Sequence, residues 1–62
     1  SDTEALQQIV ADVIAANEKV VSEIRGGKTA GVQFLVGQVM KQTKGKANPK
    51  VVQEILTTSL GL

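Results

Sequence analysis

Histidine, cysteine, tryptophan and tyrosine are all missing from this 62-residue sequence, and proline, methionine and phenylalanine occur once each. Without cysteine there is neither a disulfide framework nor a thiolate metal site. Without histidine, the usual general base and most transition-metal sites go as well. With Phe34 as the one aromatic, the core has to be built from aliphatic stripes. No run of ~18 apolar residues, the length a membrane-crossing helix needs, occurs anywhere. Nor does a basic start lead into an apolar stretch, as in a secretory leader. The initiator methionine is absent too, since the chain begins Ser1-Asp2. We read it as one domain, residues 1–62, excised from a longer protein, although a processed short protein would look the same, and close to the lower size limit for unaided folding.

Six carboxylates are left for catalysis: Asp2, Glu4, Asp12, Glu18, Glu23 and Glu54, scattered over predicted polar faces. A paired acid–base site needs two of them to meet in a cleft, and no spacing suggests it. Gly27-Lys28-Thr29 looks like the end of a phosphate-binding P-loop. The first glycine of that motif would fall at Ser22, however, and the motif must follow a strand rather than a helix. This composition supports binding rather than catalysis.

The net charge of +1 hides an asymmetry. Residues 1–24 hold five acids against Lys19 alone, for −4; residues 25–62 hold six bases against Glu54 alone, for +5. The second part suits an anionic partner, or else carries a solvated face that keeps the domain in solution.

Apolar spacing predicts four helices and no strands. Ser1 and Glu4 have capping-box spacing, and Leu6, Ile9, Val10, Val13 and Ile14 form the stripe of a first helix over about Thr3 to Ala15. Asn17 is expected to cap a short second helix with Val20, Val21 and Ile24 on its buried edge, closed by Arg25 and Gly26-Gly27. A third helix should run from Lys28 or Thr29 to about Thr43. Its apolar residues, Val32, Phe34, Leu35, Val36, Val39 and Met40, cover a wide arc, so it should be the central one. At Gly37, on the apolar side, either a neighbouring backbone comes close or the helix kinks. Gly45 suits the left-handed position after the helix, and Asn48-Pro49 restarts the chain. Val51, Val52, Ile55, Leu56 and Leu60 form the stripe of the last helix, which ends near Gly61. The fold class is all-α, a small four-helix bundle.

The segment from Lys41 to Lys50 holds four of the seven basic residues and no acid. A tight turn there makes Lys44 and Lys46 project from a tip, beside the N-terminus of the last helix. Unpaired N–H groups at that terminus and the helix dipole would favour an anion, and lysines beside it suit a phosphate backbone. Stacking on bases is expected to be unavailable, for want of an exposed aromatic, so structured RNA fits better than single strands. The bland alternative is that Lys44 merely complements the C-terminal end of the third helix.

The run Phe34-Leu35-Val36-Gly37-Gln38-Val39-Met40-Lys41, followed by Thr43-Lys44-Gly45-Lys46-Ala47-Asn48-Pro49, resembles a known family. It is similar to the YqeY-like tail domain at the C-terminal end of GatB, the B subunit of the glutamine-dependent aspartyl/glutamyl-tRNA amidotransferase. Asn17, the Arg25 to Lys28 turn and the Val51 to Leu60 helix keep the expected order, and the two blocks favour the amidotransferase tail over the stand-alone YqeY-like form. Glu18 stands where the family often has proline. Gln33 stands where it often has a small residue, which should place a larger polar side chain near the core around Phe34.

The resemblance implies a cytoplasmic parent complex that amidates aspartate or glutamate misacylated on tRNA(Asn) or tRNA(Gln), an ATP-dependent carbon–nitrogen ligase with glutamine as amide donor. It implies ATP and Mg²⁺ in that complex but no cofactor, metal or catalytic residue in this chain, partners in the A and C subunits, and no membrane. The tail would grip the outer body of the tRNA. Carried over, the binding residues are Lys41, Lys44, Lys46 and Lys50, with the backbone at Gly45 and Asn48, and Lys28 and Arg25 as weaker candidates. The alternative is a protein-docking module that uses the flank of the first helix, its lysines merely solvated.

Overall fold

Ser1 caps the first helix as its spacing predicts. Its Oγ accepts from the Glu4 N–H at 3.3 Å, and the Glu4 carboxylate returns to the chain's amino terminus at 3.9 Å. The computed structural model describes residues 1–62. It contains four helices, α1 (Asp2–Ala16), α2 (Glu18–Arg25), α3 (Gly31–Gln42) and α4 (Pro49–Leu60), and no strand.

Asn17 separates α1 from α2 in a way the sequence does not suggest. Instead of capping α2, its side-chain Nδ2 turns back and donates to the Val13 carbonyl at 2.8 Å, while its backbone N–H donates to Ile14. The residue closes α1 by offering its carbonyls a competing partner. The start of α3 also differs from expectation. Residues 28–30 form a tighter lead-in, with N–H groups at 31, 32 and 33 bonded three residues back, so the regular helix begins at Gly31.

Eleven residues are buried, and all are aliphatic: seven valines with Ile24, Leu35, Leu56 and Leu60. Leu6, Ile9, Ile14, Val20, Met40, Ala47 and Ile55 pack around them. Helix α3 touches the other three helices, as does α1, and supplies four of the eleven buried residues, more than any other helix, in keeping with its wide apolar arc. That arc is narrower than the composition of α3 suggests. Val32, Leu35, Val36 and Val39 are buried, whereas Phe34 is 49% exposed. Val51, read as part of the α4 stripe, is also exposed. Gln33 lies in solvent too, where its Nε2 donates to Gln53 Oε1 at 3.2 Å and ties α3 to α4. Its larger side chain therefore does not disturb the core.

The two glycines of α3 exchange roles. Gly37 is exposed, and a Cβ there would have nothing within 4 Å, so no backbone approaches it. The close approach is at Gly31, where a Cβ would stand 2.8 Å from Ile24 Cγ1 and 3.1 Å from Val20 Cγ1. Ile24 is 1% exposed and has little freedom to move aside. Gly31 thus lets α2 fold back onto the start of α3.

This exchange predicts opposite outcomes for one substitution at two sites. Gly37→Ala should stabilise the domain by about 0.5–1 kcal/mol, by raising helix propensity at no steric cost. Gly31→Ala should destabilise it by roughly 1–3 kcal/mol, because Ile24 must leave its rotamer. Urea denaturation followed by far-UV circular dichroism distinguishes the two.

Candidate nucleic-acid interface

Residues 43–48 have to stop α3, reverse the chain and start α4, and their hydrogen bonds do all three. The Lys44 N–H donates to the Lys41 carbonyl at 3.2 Å and the Gly45 N–H to the Met40 carbonyl at 2.9 Å. This is the Schellman closure of a helix end, and the residue at its left-handed position is Lys44, with φ 55°. Gly45 follows, also left-handed at φ 74°. At the corresponding position after α2 stands Gly27 (φ 109°) and after α4 Gly61 (φ 76°), so α3 is the helix whose left-handed closing residue is not glycine. Thr43 Oγ1 adds a bond to the Met40 carbonyl at 3.2 Å, and the Lys46 N–H donates to Thr43 at 3.0 Å.

Asn48 then caps α4. Its Oδ1 accepts from the N–H groups of Lys50 at 2.9 Å and Val51 at 3.4 Å, its carbonyl accepts from Val52, and Pro49 fills the first helical position. The open helix start read from the sequence is therefore already occupied. Pro49 has no N–H, and the next two donors point at Asn48 Oδ1 rather than at a ligand. The donors left without a protein partner in the turn are those of Ala47 and Asn48 themselves.

What the turn presents outward is cationic. Lys41, Lys44, Lys46 and Lys50 are all exposed. The domain's one ion pair joins the amino terminus to Glu4, so no lysine or arginine is neutralised by a carboxylate. None donates a side-chain hydrogen bond within the protein either. Thr43, Lys46 and Ala47 share a shallow groove with Asp2, Ala5, Leu6 and Ile9, which brings one acid of α1 to the edge of the basic tip.

Arg25 and Lys28 do not join this cluster. They flank the turn before α3, and the twelve residues of that helix place them about 18 Å from its other end. Carboxylates gather nowhere into a group of three that could hold a metal, and no polar or charged side chain is buried. The feature that sequence reasoning missed is Phe34, an exposed aromatic where none is expected. Its spacing was the available signal: Val32, Leu35, Val36 and Val39 follow the i, i+3, i+4, i+7 pattern of one buried stripe, and Phe34 falls outside it.

A family model described as the GatB domain matches residues 1–60. The chain belongs to the GatB domain family. It is 56% identical over 61 residues to the B subunit of the aspartyl/glutamyl-tRNA(Asn/Gln) amidotransferase of Nitratidesulfovibrio vulgaris, covering 98% of this chain and 13% of that protein. The protein of the same description from Herpetosiphon aurantiacus is 55% identical over 60 residues, covering 97% of this chain and 12% of the relative. That from Paraburkholderia phymatum is 54% identical over 61 residues, covering 98% and 12%. This GatB domain thus spans about one eighth of the length of the curated relatives it matches. No solved structure matches it.

The left-handed lysine of the GatB domain offers a test that separates charge from fold. Lys44→Gly relieves the strain of a side chain in that conformation and should stabilise the domain by about 1 kcal/mol. By contrast, Asn48→Ala removes the cap of α4 and should destabilise it by about 1 kcal/mol. Chemical denaturation of the two variants beside the parent chain reads both signs.

Proposed function

We propose that this GatB domain is a tRNA-binding tail on the B subunit of an aspartyl/glutamyl-tRNA amidotransferase. In this role it helps to position misacylated tRNA(Asn) or tRNA(Gln) for ATP- and glutamine-dependent transamidation in the cytoplasm, in a complex with the A and C subunits. The observation that carries the reading is the tip from Lys41 to Lys50, with four exposed lysines that no carboxylate neutralises. Released counterions make such a tip attractive to a phosphate backbone, and a helix-turn-helix edge of this size meets RNA by shape rather than by reading paired bases. The binding set comprises Lys41, Lys44, Lys46 and Lys50, with close approach allowed at Gly45 and Asn48. Lys28 and Arg25 form a separate, weaker contact at the far end of α3.

The chemistry of the reaction lies elsewhere in this reading. ATP and Mg²⁺ are assigned in this reading to the linked parts of the complex, and Gly27-Lys28-Thr29, which follows α2 rather than a strand, to the turn before α3. The domain's contribution is to add affinity and orientation to contacts made by a linked catalytic region. A protein-docking role would instead use the groove of Ala5, Leu6, Ile9, Thr43 and Ala47 and would leave the lysines idle.

Titrating the chain with tRNA at several salt concentrations tests the proposal. Affinity should fall with salt, with a log–log slope of the order of the number of phosphates neutralised. A Lys44→Glu/Lys46→Glu variant should bind roughly tenfold more weakly or worse at low salt, and with a shallower slope. Asp2→Asn, which removes the acid at the edge of the tip, should strengthen binding severalfold. Indifference to both salt and charge reversal would leave the docking role in its place.

A further inference from the structure

Two features on the outer face of α3 have no explanation inside the domain. Phe34, the chain's one aromatic residue, stands 49% exposed on the side turned away from Val32, Leu35, Val36 and Val39. Gly37, one turn further on, is exposed with nothing within 4 Å of where its Cβ would be. A glycine inside an exposed helix weakens that helix relative to alanine, and an exposed ring leaves apolar surface in water. Side by side, they form a bare step of backbone next to a ring, with room that the domain itself does not use.

The surroundings of that step indicate what covers it. The same face ends in Lys41, seven positions and about 10 Å along the axis from Phe34, next to the lysine tip. At the other end of α3 stands Lys28, and the chain has no acid anywhere between Glu23 and Glu54. The flanks are Gln33 and Gln38, polar and uncharged. A helix face with lysine at each end, no acid of its own and one accessible ring complements a nucleic acid in both charge and stacking.

We propose that the Phe34–Gly37–Lys41 face of α3 is a platform for an unpaired RNA base, continuous with the lysine tip. The Phe34 ring stacks on the base, the bare backbone at Gly37 admits the ribose–phosphate chain against the helix, and Lys41 neutralises a phosphate. The inference rests on the reading of the tip as a tRNA grip and refines it. Paired bases keep their faces inside the helix, so the ring selects loops and unpaired ends, and the domain prefers tRNA to plain duplex.

The test uses the parent chain with unfractionated tRNA and with a fully paired RNA duplex of similar charge. Phe34→Leu keeps apolar bulk but removes the π face, and it should weaken tRNA binding by about five- to a hundredfold with an unchanged salt slope. Duplex binding should not change. Phe34→Trp should bind tRNA at least as well as the parent, with its fluorescence quenched by the stacked base. Gly37→Ala should weaken tRNA binding even though it stabilises the helix, which excludes loss of fold as the cause. Stacking is overturned if Phe34→Leu and Phe34→Ala bind tRNA like the parent, or lose affinity equally for duplex. It is overturned as well if sedimentation shows a dimer of the parent that Phe34→Ala dissolves, since the face then belongs to a second copy. In each case the grip itself stands or falls separately, on the Lys44→Glu/Lys46→Glu variant and the salt slope.

Discussion

Burial of one stripe of α3 organises the domain, because Val32, Leu35, Val36 and Val39 form the surface on which the other three helices pack. The helices can close on that stripe because the side chains that fill the space are small and stiff. Seven of the eleven buried residues are valine, whose branching at Cβ fixes the rotamer within a helix. Gly31 lets α2 come down onto the start of α3, so that Ile24 reaches the centre. No polar side chain is enclosed, so the interior's hydrogen bonds are those of the helix backbones alone. The consequence for function is a division of labour, with an inert interior and all the charge outside.

That division is sharpest at the turn between α3 and α4. Most of its backbone donors are satisfied through the Schellman closure and the Asn48 cap, those of Ala47 and Asn48 excepted, and its lysines are left with no partner in the protein. Helices α2 and α4 end on glycine, the residue that adopts the left-handed conformation without strain. At Lys44 it carries a charged side chain instead, which directs a cation outward from the tip of the hairpin.

Much of this is legible in the sequence where the cause is local. Ser1 with Glu4, Asn48 with Pro49, and Gly61 at the end of α4 are set by bonds spanning a few residues and lie where their residue types predict, whereas the left-handed closing position of α3, expected at Gly45, falls on Lys44. The spacing of Val10, Val13, Leu35, Val39, Val52 and Leu56 likewise announces the buried faces. The misreadings occur where the cause lies across the fold or in competing local bonds. Which glycine of α3 is crowded depends on where α2 lands, which no property of residues 31 or 37 records. Asn17 has two available uses, and the bond to Val13 prevails. The lysine cluster is visible as charge, but the occupation of the α4 donors by Asn48 Oδ1 is a matter of side-chain geometry. Phe34 invites an interior assignment because it is aromatic, although its position on the wheel places it outside.

The hydrogen bonds that shape the lysine turn run between residues 39 and 52, and none involves α1 or α2. Closing so short a connection costs little chain entropy, and helix pairings of this kind are among the fastest that a chain can make. The tip is thus specified by a hairpin-sized segment rather than by the whole bundle. Its hydrogen bonds are local, yet Ala47 packs against the common core, so the tip and the bundle are joined through that one apolar contact.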